Sequence, residues 1–397
     1  MSQPELQAFL PRALLPSASN LLEHHALVVE QVSSLPRVRA IVPQAELPAS
    51  MPQHRFAEEV WTVAPVLAHA HLESWDAPAE QWQRGSFTEW VQELMAWRGQ
   101  DRLDAQESAR QSLQALGQSG ASCVAAHVGE PFDLAGALAM TPGAPRVLAW
   151  QEWIGAGELS EPWPGLHGFA LHAPYSVPLP QAQALLARSQ SRGEVLSLHL
   201  GEHAEEREFL ASATGPMADM VQARQGSLPA TRFASPVDWL EAAGGMRPGV
   251  LAVHGGDLSA EELQRLQGAG VSLVYCPGTH EYFARDRPAF VEAGGLPPAL
   301  GCDSMASNRC LDPLYELRLA CQQMPEFGPQ AWWAALTAGG AEALHQVDLG
   351  HWKPGAEARV LRLSQVPSSA TASAAELCAY LASGEATRIA EGSLPPC

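Results

Sequence analysis

The run Val66-Leu67-Ala68-His69-Ala70-His71-Leu72-Glu73 is apolar until two histidines, one residue apart, close it. In an extended strand residues i and i+2 point to the same face, so His69 and His71 converge on one point. Two neutral imidazoles aimed at one point suit a divalent metal ion. His-x-His also falls at strand ends by chance, so the pair becomes a site only if further ligands arrive from elsewhere. Seven later apolar runs supply candidates, because most turn polar at their C-terminal end. "ASCVAAHVGE" ends at His127, "PRVLAWQEW" at Gln151 and Glu152, and "LHGFALHAPYS" at His172. "EVLSLHLGEH" ends at His199 with Glu202 just beyond, "GVLAVHGG" at His254, "VSLVYCP" at Cys276 and "PPALGCDS" at Asp303.

A catalytic zinc takes imidazole and carboxylate ligands and leaves one position open for water. His69, His71, His199 and Asp303 provide such a set if the first and last of these strands are neighbours. The expectation is one Zn(2+) per chain, with Fe(2+) as the alternative metal. Lys353 is the only lysine and lies beyond the last of these strands, so it is not placed to bridge two ions as a carbamate. That favours one ion; Glu152 is the nearest candidate for a bridging carboxylate. Glu202 is assigned as the proton shuttle that serves a metal-bound hydroxide. Its alternative role is a glutamate complementing a helix N-terminus. His254 orients the attacking water or steadies a developing oxyanion; its alternatives are a buried structural histidine or a ligand to a second ion. His172 in "HAPYS" and His280 in "CPGTHEYF" are read as substrate contacts, as are Asn308 and Arg309 beyond Asp303. His127 is placed behind the ligands. The remaining histidines, His24, His25, His54, His167, His203, His345 and His351, are read as surface or structural.

The elements that must position these residues are legible as a pattern. Short apolar strands alternate with amphipathic helices from about residue 64, which predicts βα units and a parallel sheet. Eight such strands make an α/β fold, a (β/α)8 TIM-like barrel, with its chemistry at the C-terminal strand ends. A doubly wound sheet would not need polar residues at nearly every strand end, and no Gly-rich phosphate loop follows any strand. The barrel is expected over residues 63–344. Residues 1–62 and 345–397 are expected to form the two parts of one small β subdomain, with "ELCAYLASGEATRIAEG" as short strands or edge structure. "SFTEWVQELMAWRG" and "DAQESARQSLQALGQSG" show helical apolar spacing, "LPQAQALLARSQSRG" and "SAEELQRLQGAG" end in glycine, and "SPVDWLEAAGG" begins with a Ser-Pro cap signal. The Trp and Leu stripes on these helices are read as packing on the barrel.

Composition sets the bounds. The chain has 397 residues, 46% hydrophobic and 17% charged, with a formal net charge of −19. That is a core-forming chain whose acidic surface argues against nucleic acid or an anionic membrane as partner. The seven cysteines form no C-x-x-C pair, so neither a disulfide framework nor a zinc ribbon is expected. No basic n-region with an apolar core opens the sequence, and no apolar run approaches a membrane span. The expectation is a cytoplasmic protein with a small-molecule substrate, and a homodimer is compatible with the sequence.

"AHAHLE", "HAPYS", "HLGEHAEE", "AVHGGDLS", "CPGTH" and "LGCDSMASN", followed by "TAGGAEAL" and "LGHWKPG", resemble the amidohydrolase superfamily in its single-zinc aminohydrolase branch. The motifs occur in that family's order, from about residue 60 onward. The branch includes deaminases of S-adenosylhomocysteine, guanine, cytosine and aminofutalosine, together with triazine chlorohydrolases. By similarity His69, His71, His199 and Asp303 match its metal ligands, Glu202 its proton shuttle, His254 its water-orienting histidine and His172 a substrate-contacting position. Two segments depart from the pattern. A loop that is usually basic, "CPRS"-like, reads Cys276-Pro277-Gly278-Thr279-His280, and the usual "ADLVVL" reads Glu357-Ala358-Arg359-Val360-Leu361. The segment "SATGPMADMVQARQGSLPATRFASP" between Glu202 and His254 has the place of a lid. The resemblance implies a metal-dependent hydrolase that removes an amino group, as ammonia, from an aminated heterocycle or nucleoside-like molecule of the aminofutalosine or adenine-nucleoside type. The alternatives are hydrolysis of a cyclic amide or a carbon–halogen bond at the same site, or a non-catalytic metal- or ligand-binding barrel.

Overall fold

The computed structural model describes residues 6–32 and 35–389. Two sheets organise it. The first runs through β1 (Leu6–Ser17), β2 (Asn20–Glu23), β3 (His25–Val32), β4 (Leu35–Pro43) and β5 (Gln53–Val63) and is completed from the other end of the chain. There β14 (Val360–Ser364) pairs antiparallel with β5, and β15 (Thr387–Arg388) pairs with β14. The sheet has a small core of its own, with Phe9, Leu14, Leu27, Trp61, Trp352 and Val360 packed together. Both chain ends therefore bury apolar surface that neither could cover alone.

The second sheet is all parallel and follows chain order: β6 (Val66–His71), β7 (Cys123–Val128), β8 (Arg146–Trp153), β9 (Phe169–Leu171), β10 (Leu196–Leu200), β11 (Val250–His254), β12 (Ser272–Tyr275) and β13 (Ala299–Leu300). A parallel bridge between Ala70 and Asp303 joins its two ends. The amide of His71 donates to the Asp303 carbonyl at 2.9 Å, and that of Cys302 to the His69 carbonyl at 3.0 Å. The eight strands thus close into a barrel, as the polar strand ends required. Gly301 permits this closure: a Cβ there would lie 2.8 Å from the His69 Cβ and 2.9 Å from the His69 carbonyl oxygen.

Helix ends follow the chemistry of their caps. Ser235 accepts the Asp238 amide and Pro236 opens the helix Pro236–Ala243. Gly193, left-handed at φ 65°, ends Leu179–Arg192. The helix Ala260–Gly268 starts from a Ser259–Glu262 capping box and ends through Ala269 on left-handed Gly270, φ 75°, the glycine expected there. One expectation is corrected outright. Residues Ala374–Ser383 form a helix rather than strands, capped by Ser373 and by left-handed Gly384. Leu377, Cys378 and Leu381 share its buried face, a helical spacing hidden within a short apolar run. No described helix is long and apolar enough to cross a membrane.

Candidate active site

The C-terminal ends of the barrel strands gather the site. The Nε2 atom of His199 lies 3.3 Å from that of His69 and 3.4 Å from that of His71. Asp303 Oδ1 lies 3.5 Å from His69 Nε2 and 3.7 Å from His71 Nε2. Ligands roughly 2.0–2.2 Å from one ion would stand about 3.3–3.6 Å apart at tetrahedral angles. Burial lowers the His69 pKa to about 4, and burial and the surrounding imidazoles lower that of His199 as well, so both rings are neutral near pH 7 and available as ligands. Burial opposes ionisation of Asp303, but the contact from His69 and the imidazoles around it outweigh that and keep the carboxylate charged. Three imidazole nitrogens and one carboxylate oxygen at these separations fit a divalent cation.

Backbone conformation at the strand ends is special. Asp303 has φ 52° and His254 φ 78°, a left-handed region that costs a non-glycine residue of order 1–3 kcal/mol. Both residues leave their strands in a conformation that packing must hold in place. Asp303 is also fixed from behind, where the Thr279 and Ser307 hydroxyls donate to its Oδ2 at 2.9 and 2.7 Å.

A cavity of about 330 Å³ opens over this cluster. His71, His199, Asp303, Glu202, His254, His172 and Glu152 line its inner end. His254 Nε2 lies 3.7 Å from Glu202 Oε2. Burial raises the Glu202 pKa, and burial lowers that of His254 to about 3. His172 Nδ1 shares a hydrogen bond of 2.6 Å with the Ser176 hydroxyl. Glu152 and His127 lie side by side, 3.5 Å apart, with Glu152 Oε1 and both His127 nitrogens buried and unpartnered among the described residues. His127 stays out of the cavity lining; Glu152 reaches it.

The outer half is apolar, and two helices build it. Phe87, Trp90, Val91, Leu94 and Met95 form one stripe of the helix Phe87–Arg98 and line the cavity. The reading of that stripe as core packing holds for Phe87 and Trp90, which are buried in the main apolar core, and the same stripe also forms one wall of the cavity. Met220 and Val221 face it from the helix Pro216–Gln225, inside the segment expected as a lid.

Three expected substrate contacts lie elsewhere. His280 is buried, shares a 2.7 Å hydrogen bond with the Asp286 carbonyl, and does not line the cavity. The Asn308 amide is spent on the Cys302 carbonyl and on Glu316, at 2.8 and 2.6 Å. Arg309 lines a separate small cavity with Asn308 and Gly278. Proximity in sequence to Cys276 and Asp303 misplaced all three, because the chain turns away from the cavity after those residues. The loop's missing arginine also has a physical reason. The Gly278 amide donates to Glu316 at 2.8 Å, and a Cβ at Gly278 would fall 2.3 Å from the Asn308 side chain. An arginine absent from the sequence reading does approach the site: Arg285 Nη2 lies 3.1 Å from Glu202 Oε1.

Comparison with known proteins agrees with this geometry. Residues 164–363 match the model of the amidohydrolase family. An aminodeoxyfutalosine deaminase of Deinococcus radiodurans is 28% identical over 305 residues, 70% of this chain and 71% of that protein. An 8-oxoguanine deaminase of Pseudomonas aeruginosa is 29% identical over 195 residues, 47% of this chain but only 39% of that protein. Among solved structures, the aminofutalosine deaminase of Helicobacter pylori superposes over 97% of both chains with a TM-score of 0.79 at 18% identity. A zinc-bound adenosine deaminase from Xanthomonas campestris gives 0.71 at 20% identity, over 98% of this chain and 93% of that one. The barrel, its closure and its strand-end cluster are those of a hydrolase, and the chain belongs to the amidohydrolase family.

Proposed function

We propose that the protein is a metal-dependent deaminase of an aminated heterocycle that carries a further substituent, of the adenine-nucleoside or aminofutalosine type. The observation that supports this most is one cavity with two characters. Its inner end is lined by His71, His199, Asp303, Glu202 and His254, with His69 buried behind them, and its outer half is apolar. A free base would fill the inner end alone; a base with an extension would also cover the wall made by Phe87, Trp90 and Met220. The relatives named as deaminases of aminodeoxyfutalosine and of 5-methylthioadenosine/S-adenosylhomocysteine support the same class.

His69, His71, His199 and Asp303 would hold one Zn(2+), with Fe(2+) as the alternative. The ion would supply a Lewis acid that makes hydroxide available near neutral pH. Glu202 takes one proton from the attacking water and passes it to the ring nitrogen next to the amine-bearing carbon. A carbon–oxygen bond forms, giving a tetrahedral carbon. The second water proton moves to the amino group, the carbon–nitrogen bond breaks, and ammonia leaves a ring carbonyl behind. His254, neutral at this pH, holds the water in line beside Glu202. His172 contacts the bound ring. The described cysteines are all unpaired, which fits a cytoplasmic location.

Ammonia release is the test, measured with the zinc-loaded protein on aminated purines, pyrimidines, pterins and adenine nucleosides, including aminofutalosine. Turnover should favour substrates with a substituent and fall on the order of 10²–10⁴-fold in Glu202→Gln. Full activity in Glu202→Gln would refute the mechanism. Release of halide or of a ring-opened acid without ammonia would move the assignment to the alternative chemistry.

A further inference from the structure

Beneath the cavity lies a cation that the reaction above does not use. Arg285 follows the helix Pro277–Tyr282, and its side chain is only 10% exposed. Among the described residues its one ion-pair partner is Glu202, through Nη2 and Oε1 at 3.1 Å. Its guanidinium sits 4.3 Å from the centroid of the Phe283 ring. Phe283 in turn packs against Phe87 and Trp90 of the cavity wall, at centroid distances of 5.9 and 5.3 Å. The arginine is therefore held by packing, and not by a second carboxylate.

Glu202 is fixed from two directions. Its main chain is set by Glu206, whose carboxylate accepts the Gly201 and Glu202 amides at 3.3 and 3.2 Å. Gly201 makes that turn at φ 61°, where a Cβ would fall 2.4 Å from Leu258. Among the described residues the Glu202 side chain accepts one hydrogen bond, from Arg285, and its other oxygen lies 3.7 Å from His254. With Oε1 engaged, Oε2 is the oxygen directed toward His254 and the cavity. A free glutamate side chain would sample several rotamers, most of them pointing the carboxylate away from the reacting atoms.

We propose that Arg285 is a positioning residue for the reaction: it clamps one oxygen of Glu202 so that the other faces the substrate and the attacking water. This rests on the assignment of Glu202 as proton shuttle. The contact is a single one, Nη2 to Oε1, so a lysine that reaches Oε1 would supply part of the clamp without the stacking of the guanidinium on Phe283.

Five proteins test this: wild type, R285Q, R285K, E202Q and R285Q/E202Q. R285Q should lower kcat on the order of 10–100-fold, as loss of an orienting partner does. KM should stay within about threefold, because the clamp orients the group that moves the proton in the transition state and adds nothing to ground-state binding. R285K should recover part of the loss. In the E202Q background the same substitution should change kcat by less than about threefold, since its target is gone. An equal loss in both backgrounds, or unchanged kcat in R285Q, would overturn the proposal. Crystal structures of R285Q and R285K give a reading that does not depend on turnover. Glu202 should leave its position beside His254 or spread over several rotamers in R285Q and keep it in R285K; an unmoved, single Glu202 conformer in R285Q would refute the clamp. If no heterocycle is turned over, the deaminase reading fails while the crystal structures still decide the role of Arg285. Should R285Q not fold, R285K and the double variant, which leaves no buried charge alone, carry the same comparison.

Discussion

Two clusters of polar side chains sit at opposite ends of the barrel strands, and they are built on opposite principles. At the N-terminal end Arg146 pairs with Asp348 at 2.9 Å and with Glu357. Arg37, from the terminal sheet, reaches the same Asp348 at 2.7 Å, and Arg359 reaches Glu357 at 3.1 Å. Every carboxylate there meets at least two guanidinium groups. At the C-terminal end His69 Nδ1, His71 Nδ1, both His127 nitrogens and Glu152 Oε1 are buried with no hydrogen-bond partner among the described residues. Buried polar atoms without partners are costly, so a fold keeps them only where they serve something else. The first cluster ties the terminal sheet to the barrel. The second is costly to the fold and suited to a ligand, and its strained φ values at His254 and Asp303 add to that cost.

Substitution at the two ends should separate stability from activity. The largest effect is expected for Asp303→Ala: turnover should fall on the order of 10³-fold or more, with loss of bound metal, as removal of a Lewis-acid centre implies. The melting temperature of the metal-free protein should stay the same or rise, because a buried carboxylate, whose ionisation burial opposes, is removed from the core. Calorimetry and metal analysis on one preparation check both, and a marked drop in melting temperature would erase the contrast. Glu357→Gln should do the reverse. Glu357 is only 2% exposed and has three arginines on it, Arg37, Arg146 and Arg359, so about 3 kcal/mol of stability is at stake, with kcat/KM of the folded protein unchanged. Urea unfolding combined with kinetics decides that case.

Acid should act on the C-terminal end first. Burial, with Arg285 nearby, lowers the His280 pKa to about 4 in the folded state, against 6.5 when unfolded. A lowered histidine pKa means that the unfolded chain binds the proton first as pH falls. Its contribution is complete above pH 6.5 and is lost on the way down to about 4. Between pH 7.5 and pH 5 this one group should account for about 2 kcal/mol. Unfolding of metal-free wild type and His280→Gln at both pH values measures it: the variant should lose less stability over the interval, and equal losses would reject the assignment. The smallest effect is expected for Lys353→Ala. Lys353 is exposed and far in sequence from every strand-end ligand, so stability should shift by no more than about 0.5 kcal/mol and metal content should not change.

The legible part of the molecule was the part governed by strand periodicity. Each barrel strand is buried on both faces until its last residue, so apolar runs closed by histidine or aspartate stood out, and barrel closure could be argued from the ligand set itself. The terminal sheet was legible as alternating β-like runs at both chain ends. Residues carried on loops and helices were not. His280, Asn308 and Arg309 follow strand ends in sequence but are turned into hydrogen bonds with Asp286, Cys302 and Glu316, or toward a separate cavity. The apolar stripe from Phe87 to Met95 could be read as helical, but periodicity is the same whether the stripe meets a barrel or a substrate. Arg285 has no local signal: only its distance to Glu202, set by tertiary packing on Phe283, gives it a role. The helix Ala374–Ser383 was missed because a ten-residue apolar stretch fits either period, and its caps at Ser373 and Gly384 decide between them.

The central claim is that His69, His71, His199 and Asp303 hold one divalent ion on which deamination depends. Its most direct test is to strip the protein with chelator, titrate zinc back, and follow bound metal and ammonia release in the same samples, with Asp303→Ala alongside. The account predicts activity that rises linearly to saturation at one ion per chain and an Asp303→Ala protein with neither metal nor turnover. Saturation at two ions per chain, or ammonia release that survives complete removal of metal, would contradict it.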